Sequence, residues 1–411
     1  MSKIPTKDKL RQEKPRTGKV SWAVFFATIT VVIISLVSVV YPALVIRSTS
    51  FFDESQTSPF EIGAWAAPLV ATNLMLLAII IAYLKDRLPV QLAKSIRFIF
   101  NFEISKKTAF IVVLALLAIY VGASAGELSS EEIWEDYVGV KDRVKSWQPD
   151  KVLTSFEPHV RYFLLSSSLN LFGNIRVIPF IVSAMLLILT YYITKEITQK
   201  RFAGVVSMAI LLQSSLFLFY GTSATYDNSW TLLYVFSLYL IYKKWPISPI
   251  SYVVSIFSKA LTILFLPMNL FVIYRSNIPR QKKIRLAISY GVIIIIIISA
   301  PLAGISLGGR PEGFDPTGFW QGFAAWAFQT RFDGLVLVFT LPLVVGLFVA
   351  SRRGILQADS VMVLIMGVLL SAPFLQGFTD QTNQPYRFVP LVVFFAMGVG
   401  TLLSKRISEQ S

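Results

Sequence analysis

The chain has 411 residues, 55% hydrophobic and only 15% charged, with a formal net charge of +15. Soluble domains average roughly 25% charged residues, so a soluble enzyme, a disordered chain and a nucleic-acid-binding domain all fit poorly. Cysteine is absent, which excludes disulfides, Cys-ligated zinc and thiol nucleophiles.

Several apolar runs approach or exceed the ~20 residues that cross a bilayer as a helix. They predict an all-α polytopic membrane protein of about twelve transmembrane helices. A basic leader, residues 1–20, precedes the first crossing, Ser21–Ile46, a run too long for a signal-peptide core. With Ala64–Leu84 this forms an N-terminal extension over 21–105, followed by a core over 106–406 and a short tail at 407–411. The third crossing, Thr108–Ala125, opens into the longest outer segment, 126–174, whose second half, Glu157–Gly173, reads as a helix lying in the outer interface. Ile175–Thr194, Ala203–Gly221 and Ser229–Tyr242 follow. Pro249–Ser258 is too short to span alone and reads with Leu261–Tyr274 as a broken or re-entrant pair around Lys259. Leu286–Ile305, Gly334–Ala350, Val361–Leu375 and Phe388–Leu403 complete the set.

Assigning loops alternately to two sides puts 27 of the 38 Lys and Arg, but only 7 of the 23 acids, on the N-terminal side. This positive-inside pattern predicts that both termini are cytoplasmic. The basic residues then act as topology signals and contacts to anionic membrane lipids, with no nucleic acid implied.

Four polar clusters fall on the opposite, outer side. In GELSSEEIWEDY, Glu127 and Glu131 sit where a carboxylate could take a proton from a hydroxyl, bind a divalent metal or simply be hydrated. Ser129-x-x-Glu132 has capping-box spacing, which assigns Glu132 and Glu135 to structure. Phe156-Glu157-Pro158-His159 holds the single histidine, so a multi-histidine metal site is excluded, while a cap, a mixed metal site or a phosphate contact stay open. Asp227, in Thr225-Tyr226-Asp227-Asn228, is a membrane-boundary carboxylate or an N-cap. Lys259, Arg310 and Arg387 lie at outer helix ends against the charge trend. Cations at such depth are functional candidates that suit a lipid phosphate, or else they snorkel or pair with Glu312 or Asp315.

Placed in order, these pieces resemble the GT-C superfamily of membrane glycosyltransferases, nearest to protein O-mannosyltransferases and aminoarabinose-to-lipid-A transferases. The likeness runs from about Lys106 to Arg406 and rests on GELSSEEIWEDY, EPHVRYFLLSSSLNLFG, Arg176-Val177-Ile178-Pro179, TKEITQKRFAG, TSATYDN, SKALTILFLP and Tyr386-Arg387-Phe388-Val389-Pro390. Each motif is weak alone, and their order and sidedness carry the resemblance. Tyr226 stands where the family carries Arg, and Glu127 stands apart from Glu131 where the family often has an Asp-Glu pair. The resemblance implies an enzyme of the cell membrane that moves a sugar from a polyprenyl-phosphate donor to a hydroxyl of a protein, lipid or glycan acceptor, with inversion. It implies catalytic roles for Glu127, Glu131 and Asp227, and substrate binding by Trp134, Glu157, His159, Tyr226, Lys259, Arg310 and Arg387. A divalent metal is left open as cofactor. The alternatives are a transporter or flippase of a lipid-linked or anionic substrate, or a non-catalytic scaffold of the same fold. Transporters usually hold substrate near the midplane between repeats, whereas these charges gather on one face and no repeat is visible, which favours the enzyme.

Overall fold

The computed structural model describes residues 18–41, 62–148, 158–299, 313–329, 333–379 and 384–404. Those residues are organised by helices alone. In chain order they are α1 (Gly18–Val40), α2 (Ala66–Leu84), α3 (Val90–Asn101), α4 (Lys106–Ser124), α5 (Asp136–Ser146), α6 (His159–Phe172), α7 (Val177–Thr198), α8 (Arg201–Leu212) and α9 (Ser215–Phe219). Then come α10 (Ser229–Lys243), α11 (Ser248–Ser258), α12 (Leu266–Arg275), α13 (Arg280–Ser299), α14 (Pro316–Gln329), α15 (Gly334–Arg352), α16 (Gln357–Phe378) and α17 (Val389–Leu402).

Seven helical stretches among the described residues are long and apolar enough to cross a bilayer: Gly18–Val40, Ala66–Leu84, Lys106–Ser129, Val177–Thr198, Gly334–Arg352, Gln357–Phe378 and Pro385–Leu402. They mark an integral, multi-pass helical membrane protein. Each of the twelve apolar segments read from the sequence contains a helix. The shortest of those segments is Pro249–Ser258, whose helix α11 is joined to α12 by Lys259 and a 3-10 stretch, Ala260–Phe265.

Three helices lie outside the apolar segments read from the sequence as crossings. In α3, Gln91, Lys94 and Arg97 interrupt the apolar pattern, and none of its residues is buried, Val90, Phe98 and Ile99 being exposed large apolar side chains. The polar helix α5 is held by its apolar residues Tyr137, Val140 and Val144 against Tyr162 and Leu165 of α6. In α14, Gly318 and Gly322 are contact points. A Cβ on Gly322 would collide with the backbone of Pro373, and one on Gly318 would lie 2.5 Å from the Gln376 carbonyl oxygen. Thus α14 runs antiparallel along the end of α16, with the Asp315 amide donating to the Gly377 carbonyl at 2.8 Å. Overpacking such a contact costs about 1–3 kcal/mol. Gly322→Ala is therefore expected to lower thermal stability, and a wild-type melting temperature would contradict this packing.

The basic end is pinned by a buried ion pair between Arg275 of α12 and Asp359 of α16. Ser21 of α1 donates to Asp359 at 2.9 Å and lies 2.9 Å from the Ser351 hydroxyl of α15, so four helices meet there. At the other end, the 3-10 turn Ala125–Ser129, helices α5 and α6, and the loop 222–228 cover the bundle.

Candidate functional site

Two of the sequence motifs, GELSSEEIWEDY and TSATYDN, meet face to face, and Arg176 fastens them. Its guanidinium is buried and donates to the carbonyls of Glu127, Ser130 (2.7 Å) and Thr222 (3.2 Å), and to Thr222 Oγ1 at 2.6 Å. The motif Arg-x-x-Pro thus supplies a positive hub at the start of α7. Glu127 follows α4 by three residues, accepts from Thr222 Oγ1 at 2.6 Å and lies 3.5 Å from Arg176. Its side chain remains 45% exposed, so its carboxylate is both oriented and reachable.

Glu132 corrects a sequence reading. It caps no helix: Ser129 donates to the Gly126 carbonyl instead, and α5 begins only at Asp136. The Glu132 carboxylate is turned inward, with its side chain 2% exposed. It accepts from the amides of Ala224 and Thr225 (3.1 Å) and from Ser223 Oγ (3.0 Å). Two backbone donors and Arg176 at 3.8 Å outcompete the local capping geometry, because a buried carboxylate must be satisfied wherever donors converge.

The far end of the same loop carries the second half of the site. Arg161 of α6 pairs with Asp227 at 2.9 Å and donates to the carbonyls of Ala224 (3.0 Å) and Thr225 (2.5 Å). The other Asp227 oxygen accepts from the amide of Ser229 at 2.9 Å and from its hydroxyl. Asp227 is thus a buried anchor for Arg161 and for the start of α10. Tyr226 donates to Asp136 at 3.1 Å and stacks on Tyr386, ring centres 4.5 Å apart. Trp134 stacks on Tyr220 and meets Tyr226 edge-on, completing an aromatic wall.

Behind that wall, Lys259 donates to Tyr386 Oη at 2.5 Å and Arg387 donates to the same oxygen at 3.3 Å. Burial pulls the Lys259 ammonium below the usual lysine range, opposed by Tyr386 and reinforced by the positive charges of Arg387 and Arg161. Lys259 has no carboxylate within ion-pair distance among the described residues. Thr225 Oγ1, beside Arg161's contacts, is buried without a hydrogen-bond partner among the described residues.

The structure therefore links Trp134, Tyr226, Lys259 and Arg387 through Tyr386, and places Glu127 and Asp227 against opposite ends of the loop 222–228. Glu131 points away: it is 79% exposed and bonded to Lys141 at 2.8 Å, which holds its carboxyl below the usual range. His159 is buried at the start of α6, its Nδ1 accepting from Trp147 Nε1 at 3.3 Å, a packing role. Glu157 and Arg310 lie outside the described residues. Among the described residues, no group of three or more His, Asp or Glu is placed to hold a metal ion. Arg161, Arg176, Glu132 and Tyr386 were not singled out from the sequence as site residues. Only the Arg-x-x-Pro and Tyr-Arg motifs hinted at two of them.

No protein-family model matches the chain, and no curated protein or solved structure matches it significantly.

Proposed function

We propose that the chain is a membrane glycosyltransferase of GT-C type that moves a sugar from a polyprenyl-phosphate donor to an acceptor hydroxyl on the outer face of the membrane. The observation that carries this reading is the pair of cations Lys259 and Arg387 on the Tyr386 hydroxyl, in which Lys259 meets no carboxylate among the described residues. A charge held at a membrane boundary is costly unless paired, and a lipid-linked phosphate arriving by lateral diffusion would pair with Lys259. Arg161 also supplies, from α6, a guanidinium next to Asp227 where the related families carry one inside the loop.

Glu127 acts as general base, taking the proton of the acceptor hydroxyl. The acceptor oxygen then attacks the anomeric carbon as the bond from that carbon to the phosphate oxygen breaks. Its electron pair leaves with the lipid phosphate, and Lys259 and Arg387 stabilise the growing negative charge. Asp227 positions Arg161, while Trp134 and Tyr226 offer aromatic faces to the sugar. On this reading the chain crosses the membrane twelve times with both termini cytoplasmic, in keeping with the charge asymmetry of its loops.

Polyprenyl phosphate, the lipid released by the reaction, is expected to bind the purified protein. Lys259→Gln should weaken that binding about tenfold, since a charge-assisted hydrogen bond contributes about 1.5–3 kcal/mol. Equal binding by variant and wild type would remove Lys259 from the donor site.

A further inference from the structure

The 720 Å³ cavity lies at the opposite, basic end of the bundle and has no part in the reaction proposed above. Its volume falls within the roughly 300–1,000 Å³ typical of ligand pockets. Leu76 and Ile80 of α2, Phe339 and Leu343 of α15, and Phe395 and Val399 of α17 wall its apolar depth. Along α2 this wall runs from Leu76 to Leu84, about 12 Å at 1.5 Å per residue. At the mouth the chemistry changes abruptly. The exposed Arg97 of α3 and Arg353 after α15 and the buried Lys200 before α8 line this end, and no Asp or Glu among the described residues does.

Arg97 and Arg353 are exposed and form no ion pair among the described residues. Arg353 lies over the Tyr83 ring, 5.6 Å from its centre, and Lys200 donates to the Phe100 carbonyl at 2.5 Å. The neighbouring carboxylate, Glu103, accepts from the amides of Ile104, Arg201 and Phe202. Helix α3 contributes Ile96 and Phe100 to the cavity while Val90, Phe98 and Ile99 remain exposed, so the helix lies as a flap at the membrane surface. An apolar slot about 12 Å long, comparable to the depth of one leaflet and lined at one end by three cations, matches a hydrocarbon chain that carries a phosphate, and a free anion would leave the slot unfilled.

We propose that this cavity binds one anionic phospholipid of the leaflet facing the basic loops, its acyl chain between α2, α15 and α17 and its phosphate against Arg97, Lys200 and Arg353. Basic pockets between transmembrane helices recognise anionic headgroups in this way, each cation near the surface contributing about 1 kcal/mol. The site is independent of sugar transfer and stands whether or not that reading does.

The test is native mass spectrometry of the delipidated full-length protein, titrated with phosphatidylglycerol or phosphatidylcholine of identical chains. Phosphatidylglycerol should bind at least ~10-fold more tightly. The double variant Arg97→Gln/Arg353→Gln, at two exposed positions, should lose about 30-fold in phosphatidylglycerol affinity and leave phosphatidylcholine unchanged. Val349→Phe, which narrows the slot, should weaken both. Equal affinity for the two lipids, a double variant that behaves as wild type, or full binding in Val349→Phe would overturn the proposal. So would inorganic phosphate competing as well as the lipid.

Discussion

Glu127→Gln is expected to lower the proposed sugar transfer by about 10²–10⁴-fold, the usual contribution of a general base. Glutamine keeps the oxygen that accepts from Thr222 Oγ1 and the shape that packs beside Arg176, so the fold should survive. The 45% exposure of the native side chain removes any large desolvation term from the comparison. Only the capacity to take a proton is lost. Glu131→Gln is the matched control, because Glu131 lies on the same segment, is more exposed and bonds only Lys141 among the described residues. It should retain nearly full activity. Equal losses in the two variants would mean that the segment, and not the Glu127 carboxylate, matters to the reaction.

The second large effect is on stability. Arg176→Gln should destabilise the outer end of the protein by about 3–5 kcal/mol, the cost of removing one partner from a buried charge cluster. Arg176 bonds two segments that are otherwise joined by Glu127, Glu132, the Tyr226–Asp136 hydrogen bond and the Trp134 ring contacts, and Glu132 would keep its carboxylate buried without its one ion-pair partner among the described residues. The double variant Arg176→Gln/Glu132→Gln should recover part of the loss, since the orphaned charge is then gone. Thermal or denaturant unfolding in detergent measures both. An Arg176→Gln protein as stable as wild type would show that the cluster does not hold the end of the bundle together.

The long helices were legible because membrane-length apolar runs are a local property, as in Gly334–Arg352 or Gln357–Phe378. Helix α14 was not, since Gly318 and Gly322 mark close approach to α16, which no local pattern distinguishes from a loop. Helix α3 was masked by the Lys and Arg that also signal a cytoplasmic loop. Within the site, motifs on one segment were visible and their partners were not. Asp227 showed no basic neighbour in sequence, yet Arg161 reaches it from 66 residues away. Glu132 sat in good capping-box spacing, but backbone donors from residues 224 and 225 claimed it. Such pairings depend on which helix ends the bundle brings together. Sequence periodicity carries no record of that.

The most direct test of the central claim is transfer of radiolabelled sugar from a panel of polyprenyl-phosphate sugars to a membrane extract, using purified wild type and Glu127→Gln side by side. The account predicts label in the acceptor fraction from at least one donor with wild type, and its near-complete loss in the variant. No transfer from any donor, with protein shown to be folded, would contradict it and move the weight to a transporter or a non-catalytic scaffold.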